Sequence, residues 1–215
     1  MAFFGARSGA TAAADGWELK ADTDDIRVYS REVEGTRVRQ MKAVGQIDAP
    51  PARVLAVVAD AASYRETMPY TEESQVVRTE GSSLWFYTVI NAPLVSRRDY
   101  CIRITVSDLG GGVLRSRWVP ANDYAPPKAP DVVRVEINDG HWLLTPRDGG
   151  QHTETEYFLF TDPGGSIPTF VANKANSVAV PDVFRAIRRA VRLAKYAAAR
   201  LPDGLTLEAA ASPNP

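Results

Sequence analysis

The chain has 215 residues, 45% of them apolar and 24% charged, with a formal net charge of −1, which suits one soluble globular domain and excludes disordered and fibrous classes. A pI near 6.2 gives no global basic field, so nucleic acid is excluded as the default partner. Cys101 is the single cysteine, which rules out an internal disulfide and a cysteine-rich zinc site, and no run approaches the roughly 20 apolar residues of a membrane-spanning helix.

In chain order, residues 1–16 (MAFFGARSGATAAADG) read as a flexible arm: small residues resemble a signal-peptidase site, but a basic start and an apolar core are lacking. As it stands the arm predicts a cytoplasmic protein, peripheral at a membrane; with a leader upstream it becomes an export remnant and the protein periplasmic or secreted. Ordered sequence runs from Trp17 to about Arg200, and residues 201–215 form a second flexible tail. IRVYSREV and RVRQMKAVGQI predict strands. DAPPARVLAVVADAASY then predicts a short helix opened by its prolines, buried through Val54, Leu55, Val57 and Val58 and ended by Met68 and Pro69.

From Ser74 the chain reads as successive strands: SQVVRTE, SLWFYTVI, RDYCIRITVSDL with Cys101 as a small buried residue, GVLRSRWV, DVVRVEIN, HWLLTP and QHTETEYFLF. The separators EGSS, LGGG, NDG and RDGG carry hairpin-turn chemistry. An antiparallel meander followed by one long helix is an α+β arrangement, and a curved sheet gripping that helix leaves room between them.

The long helix opens near Pro168, after Gly164, Gly165 and a capping Ser166. Helical spacing from Asn173 selects Ser177, Val180, Phe184, Ile187, Val191, Ala194 and Ala198 as one face. The rear of that face is plain core. The front presents Asn173 and Ser177, which are costly to bury without partners, and Pro181 kinks the axis between the halves. Either this is a kinked core helix with two satisfied polar residues, or it is a lid over a partly polar cavity.

Three stretches, APLVSRRDYCIRI, VVRVEINDGHWLL and DPGGSIPTFVANKANSVAVPDVF, together resemble the START family, the steroidogenic-acute-regulatory-related lipid-transfer domains. The likeness is of bacterial type and strongest to the phosphatidylcholine-transfer branch. It lies in the Arg98-Asp99-Tyr100 triplet and in Ile167-Pro168, Asn173 and Val180-Pro181 of the last helix, and it covers residues 17–200. The resemblance implies a helix-grip fold: a curved antiparallel sheet of about nine strands around the C-terminal helix, enclosing a hydrophobic tunnel for one lipid. It also implies that Asn173 and Ser177 face the tunnel. The aromatic residues with which that branch cages choline have no match here, so the lipid class stays open among phospholipid, sterol-like and other isoprenoid lipids.

Strand alternation puts Arg98 in phase with Tyr100, Ile102, Ile104 and Val106, aimed inward, with Asp99, Cys101 and Arg103 turned away. A buried guanidinium needs an anion, either a carboxylate such as Glu66 or a ligand phosphate or carboxylate. Trp85, Tyr87, Trp118, Trp142 and Tyr157 can line a cavity; Tyr87, Trp118 and Tyr157 lie in phase with the apolar members of their strands, and Trp142 sits on a strand apolar on both faces.

Catalytic and metal-ligating residues are not expected: His141 and His152, the two histidines, lie beside different strands without nucleophile or metal spacing. No cofactor is expected. Related helix-grip folds include cyclases and aromatases, and an adaptor with a vestigial cavity is a third class. The reading is a non-enzymatic, monomeric lipid carrier. Its membrane contact would combine Phe170, Val171 and Val178 with the basic stripe Lys174, Arg185, Arg188, Arg189, Arg192 and Lys195, docking transiently on an anionic surface.

Overall fold

The computed structural model describes residues 16–36, 38–92, 95–165 and 169–209, and only the backbone of 169–178. The strands are β1 (Glu18–Thr23), β2 (Ile26–Arg31), β3 (Gln40–Ile47), β4 (Thr71–Glu80), β5 (Ser83–Ile90), β6 (Arg98–Asp108), β7 (Leu114–Pro120), β8 (Val133–Arg134), β9 (Ile137–Arg147), β10 (His152–Asp162) and β11 (Glu208–Ala209). The helices are α1 (Pro51–Ala59), α2 (Tyr64–Thr67) and α3 (Thr169–Ala190). Nine strands form one antiparallel path, β1-β2-β3-β10-β9-β7-β6-β5-β4, while β8 and β11 each lie parallel to β6. This is the expected α+β helix-grip arrangement: α1 packs on β7, β9 and β10, and α3 packs on β1, β2 and β3, all on one side of the sheet.

The core follows from the apolar periods. Val54, Leu55, Val57 and Val58 of α1 are buried, with Pro51 at its first turn, where a missing N–H costs nothing. Val180, Phe184 and Ile187 bury the rear of α3, each contributing about 1.5–3 kcal/mol. Gly45 makes room for Phe184, because a Cβ there would lie 3.1 Å from the ring's Cε1. The β6–β7 turn relies on Gly110, Gly111 and Gly112, all at positive φ.

Several elements differ from the sequence reading. β1 is an added strand: it is a mostly exposed edge, so it lacks the apolar alternation that marks the others. DVVRVEIN is not one strand, and NDG is not a turn. Val133–Arg134 bridges to β6 alone, and β9 runs unbroken through Asp139 and Gly140. The cause is Trp118, whose indole lies over Gly140: a Cβ there would sit 2.1 Å from its Cζ2. The glycine is a seat for a cross-strand ring, not a bend.

The last helix stops at Ala190, because Leu193 turns to φ −68°, ψ 137° and a short 3-10 turn over Ala194–Tyr196 follows. Tyr196 is buried there and its hydroxyl donates to Asp60 Oδ2 at 2.8 Å, so Ala194 and Ala198, expected on the buried face, are exposed. Tertiary contact overrides the helix propensity of the alanine-rich stretch. Beyond Arg200, expected as tail, the chain stays on the fold as far as Ala209: Leu205 is buried and β11 pairs with β6.

Candidate functional site

Between the sheet and α3 lies a cavity of about 260 Å³. Its walls come from α1 and α2 (Val58, Tyr64), from the inward residues of β5, β6, β7, β9 and β10, and from Ala179 and Val183 of α3. Strand pleating fixes which residues these are, since alternate side chains share a face. Trp118 stacks on Tyr157 with centroids 5.7 Å apart, Tyr157 packs on Trp142 at 4.2 Å, and Trp142 meets Phe184 at 5.5 Å. One aromatic wall therefore runs from the cavity into the packed end of the core.

The polar handles are few. Trp118 Nε1 donates to Asn138 Oδ1 at 3.2 Å, and Tyr64 Oη donates to the carbonyl of Val58 at 2.5 Å. Ser116 Oγ is buried with no hydrogen-bond partner among the described residues. Burial pushes the Tyr100 hydroxyl up to about 12 and raises Tyr64 and Tyr157 as well, so all three remain protonated donors at neutral pH. Tyr100 and Tyr157 are half-buried, and both line the cavity.

Arg98 is the single ionised side chain among the described lining residues at neutral pH, and it is 6% exposed. Its Nε donates to the carbonyl of Pro163 at 3.1 Å and its Nη1 to the carbonyl of Ser96. Burial lowers its pKa from the ordinary guanidinium value. The ion pair with Glu66 does not form: Glu66 is exposed on α2, and among the described residues no carboxylate pairs with Arg98.

Arg98, Tyr100, Ile102, Trp118, Trp142 and Tyr157 thus converge on the cavity as the alternation predicts. Tyr87 does not. It lies on the opposite face of β5 and donates to Asp99 Oδ2 at 3.1 Å. β5 is buried on both faces because residues 121–135 fold over its outer side, so the apolar pattern could not select a face. Asp99 is held there by Arg134, Nε to Oδ1 at 2.9 Å and Nη2 to Oδ2 at 2.7 Å. Cys101 is buried on the same outer side, its thiol pushed up to about 11 by burial.

Phe86, Thr88, Ser116, Asn138 and Tyr64 line the cavity without having been singled out. Ser116 shares its phase with Leu114 and Trp118, a signal present in the sequence; that of Asn138 was hidden by taking NDG for a turn. Asn173 and Ser177 of the tunnel, and Phe170, Val171, Lys174 and Val178 of the membrane face, lie outside the described side chains.

The basic stripe is partly spent on the protein. Arg185 pairs with Asp24 (2.6 Å) and Asp182 (2.8 Å), and Arg188 donates to the carbonyls of Gln46 and Asp24. Lys195 pairs with Asp60 at 3.1 Å. Arg189 and Arg192 are exposed. Tyr70 Oη donates to Asp182 Oδ2 at 2.7 Å, so these groups fasten the rear of α3 to both ends of the sheet.

The histidines sit away from the cavity: His141 Nε2 lies 3.1 Å from Glu156 on the outer face, and His152 Nε2 lies 2.8 Å from Asp48. Among the described residues no cluster of three metal-ligating side chains occurs, and no helix is long and apolar enough to cross a membrane. A larger groove, about 890 Å³, lies where α3 meets the outer ends of β1–β3 and β9–β10; it is lined by charges such as Arg147 and Glu154, which pair with each other at 2.9 Å. Apolar and aromatic lining favours the inner cavity as the site.

The family model for the START domain matches residues 7–196. The chain belongs to the START family. An uncharacterized protein of Pseudomonas aeruginosa is 31% identical to this START domain over 163 residues, 75% of this chain and 80% of that protein. The bovine phosphatidylcholine transfer protein is 25% identical over 173 residues, 79% of this chain and 81% of its own length. Among solved structures, a fragment of a STAR-related lipid transfer protein from Xanthomonas axonopodis superposes with a TM-score of 0.76 at 29% identity, covering 83% of this chain and 100% of the fragment.

Proposed function

We propose that this START domain, as a monomer, binds one amphipathic lipid molecule in the inner cavity and carries it between membranes without changing it covalently. The observation that carries the reading is the lining: a continuous aromatic wall, isolated hydroxyl and amide handles, and no carboxylate, imidazole or amine among the described lining residues. A cyclase or aromatase moves protons, and general acid–base catalysis needs a group that titrates near the working pH. The tyrosine hydroxyls are held well above it. The similarity to phosphatidylcholine transfer proteins supports lipid as the cargo.

Native mass spectrometry of protein purified from its own source is expected to show one co-purified lipid per chain, chemically intact. An empty protein that also refuses every member of a broad lipid panel would overturn the reading, and a converted polyketide-like compound would replace it with the enzymatic one.

Docking would use the front of α3, through Phe170, Val171, Lys174 and Val178, together with Arg189 and Arg192; each such cation near an anionic surface contributes about 1 kcal/mol. Lipid exchange is expected to be faster with anionic than with zwitterionic vesicles, and slowed by salt and by Arg189→Gln with Arg192→Gln. Rates indifferent to vesicle charge and to salt would remove the electrostatic step.

A further inference from the structure

Arg98 lines the cavity with its charge answered, among the described residues, by two backbone carbonyls. Its Nη2 makes no hydrogen bond with any described residue. Asp99, next in sequence, is committed on the other face of the sheet to Arg134 and Tyr87. The segments close in sequence to Arg98 and to Pro163 contain no acid either: residues 93–94 are Pro-Leu, and 166–178 read SIPTFVANKANSV, with Lys174 as the one charged side chain. A buried guanidinium left with neutral partners is the arrangement that an incoming anion satisfies, through charge-assisted hydrogen bonds to the free donors.

The space behind it is apolar: Trp118, Trp142 and Tyr157 line it, a wall on which hydrocarbon can lie. A zwitterionic head would place an ammonium group near Arg98 with no carboxylate among the described lining residues to receive it.

We infer that the ligand is an amphiphile with one anionic head, a carboxylate or a phosphate monoester, whose head pairs with Arg98 and whose hydrocarbon lies on the aromatic wall. The inference rests on the lipid-binding reading above and narrows it to a substrate class.

The test is isothermal titration calorimetry on delipidated full-length protein with dodecanoate, dodecyl phosphate, dodecanol, inorganic phosphate, dioleoylphosphatidylcholine and cholesterol. Dodecanoate or dodecyl phosphate, whichever head the site takes, is expected to bind at least about tenfold more tightly than dodecanol, as hydrogen bonds to charged groups require. Inorganic phosphate should not bind measurably, which separates a lipid head from a free anion. Arg98→Gln should abolish the acid-over-alcohol preference, and Arg98→Lys should keep part of it. The comparison of acid with alcohol on the wild type stands even where a variant fails to fold. Equal affinity for acid and alcohol would overturn the inference, as would a preference that survives Arg98→Gln, inorganic phosphate binding as well as dodecyl phosphate, or tighter one-to-one binding of dioleoylphosphatidylcholine or cholesterol. Each of those results leaves the carrier reading standing. Binding of none of the six would bring down both.

Discussion

Gly140→Ala is expected to destabilise the protein by about 3 kcal/mol, at the upper end for overpacking a filled site. The added methyl would sit 2.1 Å from Trp118 Cζ2 and 2.4 Å from the backbone oxygen of Phe158. The second atom belongs to the neighbouring strand and cannot rotate away. The indole would have to leave the glycine, losing its bond to Asn138 and its stacking on Tyr157, two contacts that shape the cavity. Urea unfolding of Gly140→Ala measures the loss, and Gly140→Ala combined with Trp118→Leu should recover part of it, since the ring is one of the two obstacles. A midpoint equal to wild type would show that the strand yields where its packing says it cannot.

Arg134→Met should cost about 3–5 kcal/mol, because it strands a buried carboxylate. The side chain of Asp99 is 1% exposed and that of Arg134 12% exposed, so neither is screened as a surface pair would be. Among the described residues Tyr87 would remain on Asp99, one neutral donor in place of a bidentate cation. Asp99→Leu with Arg134→Met should restore most of the stability, since replacing both partners of a buried pair by apolar groups is often nearly neutral. If Arg134→Met by itself shifts unfolding by less than about 1 kcal/mol, water must reach Asp99, and the segment over 121–135 is not the seal its contacts indicate.

The legible parts of this fold are those where local chemistry and tertiary packing agree. The prolines before Ala52 and the glycines at 110–112 each place an element within a residue or two, and the apolar period through Phe184 places the last helix but overruns its end at Ala190. The site was legible on β6, where Arg98, Tyr100 and Ile102 share a face. It was illegible where a second layer covers the sheet: Tyr87 sits on a strand buried on both sides, and period-2 alternation has no polar face to read there. Asn138 and Gly140 failed for a different reason. Asn-Asp-Gly is turn chemistry in isolation, and the ring that keeps it straight comes from a residue some twenty positions earlier. That no carboxylate among the described residues pairs with Arg98 is likewise a fact of three-dimensional neighbourhood, since Asp99 is adjacent in sequence yet faces the other way.

The curved sheet also sorts the four tryptophans of the chain. Trp118 and Trp142 line the inner cavity. Trp17 lies on the outer side with Arg31 4.7 Å and Lys42 4.5 Å from its ring, and Trp85 with Arg78 at 5.4 Å and Arg103 at 5.9 Å. The two pairs therefore emit from different surroundings, one apolar and next to any cargo, the other beside fixed cations. Filling the cavity alters the emission of the inner pair and leaves the outer pair as an internal standard, whereas a molecule adhering to the convex face does the reverse. The wall that divides the indoles makes the protein its own spectroscopic gauge of where a molecule has bound.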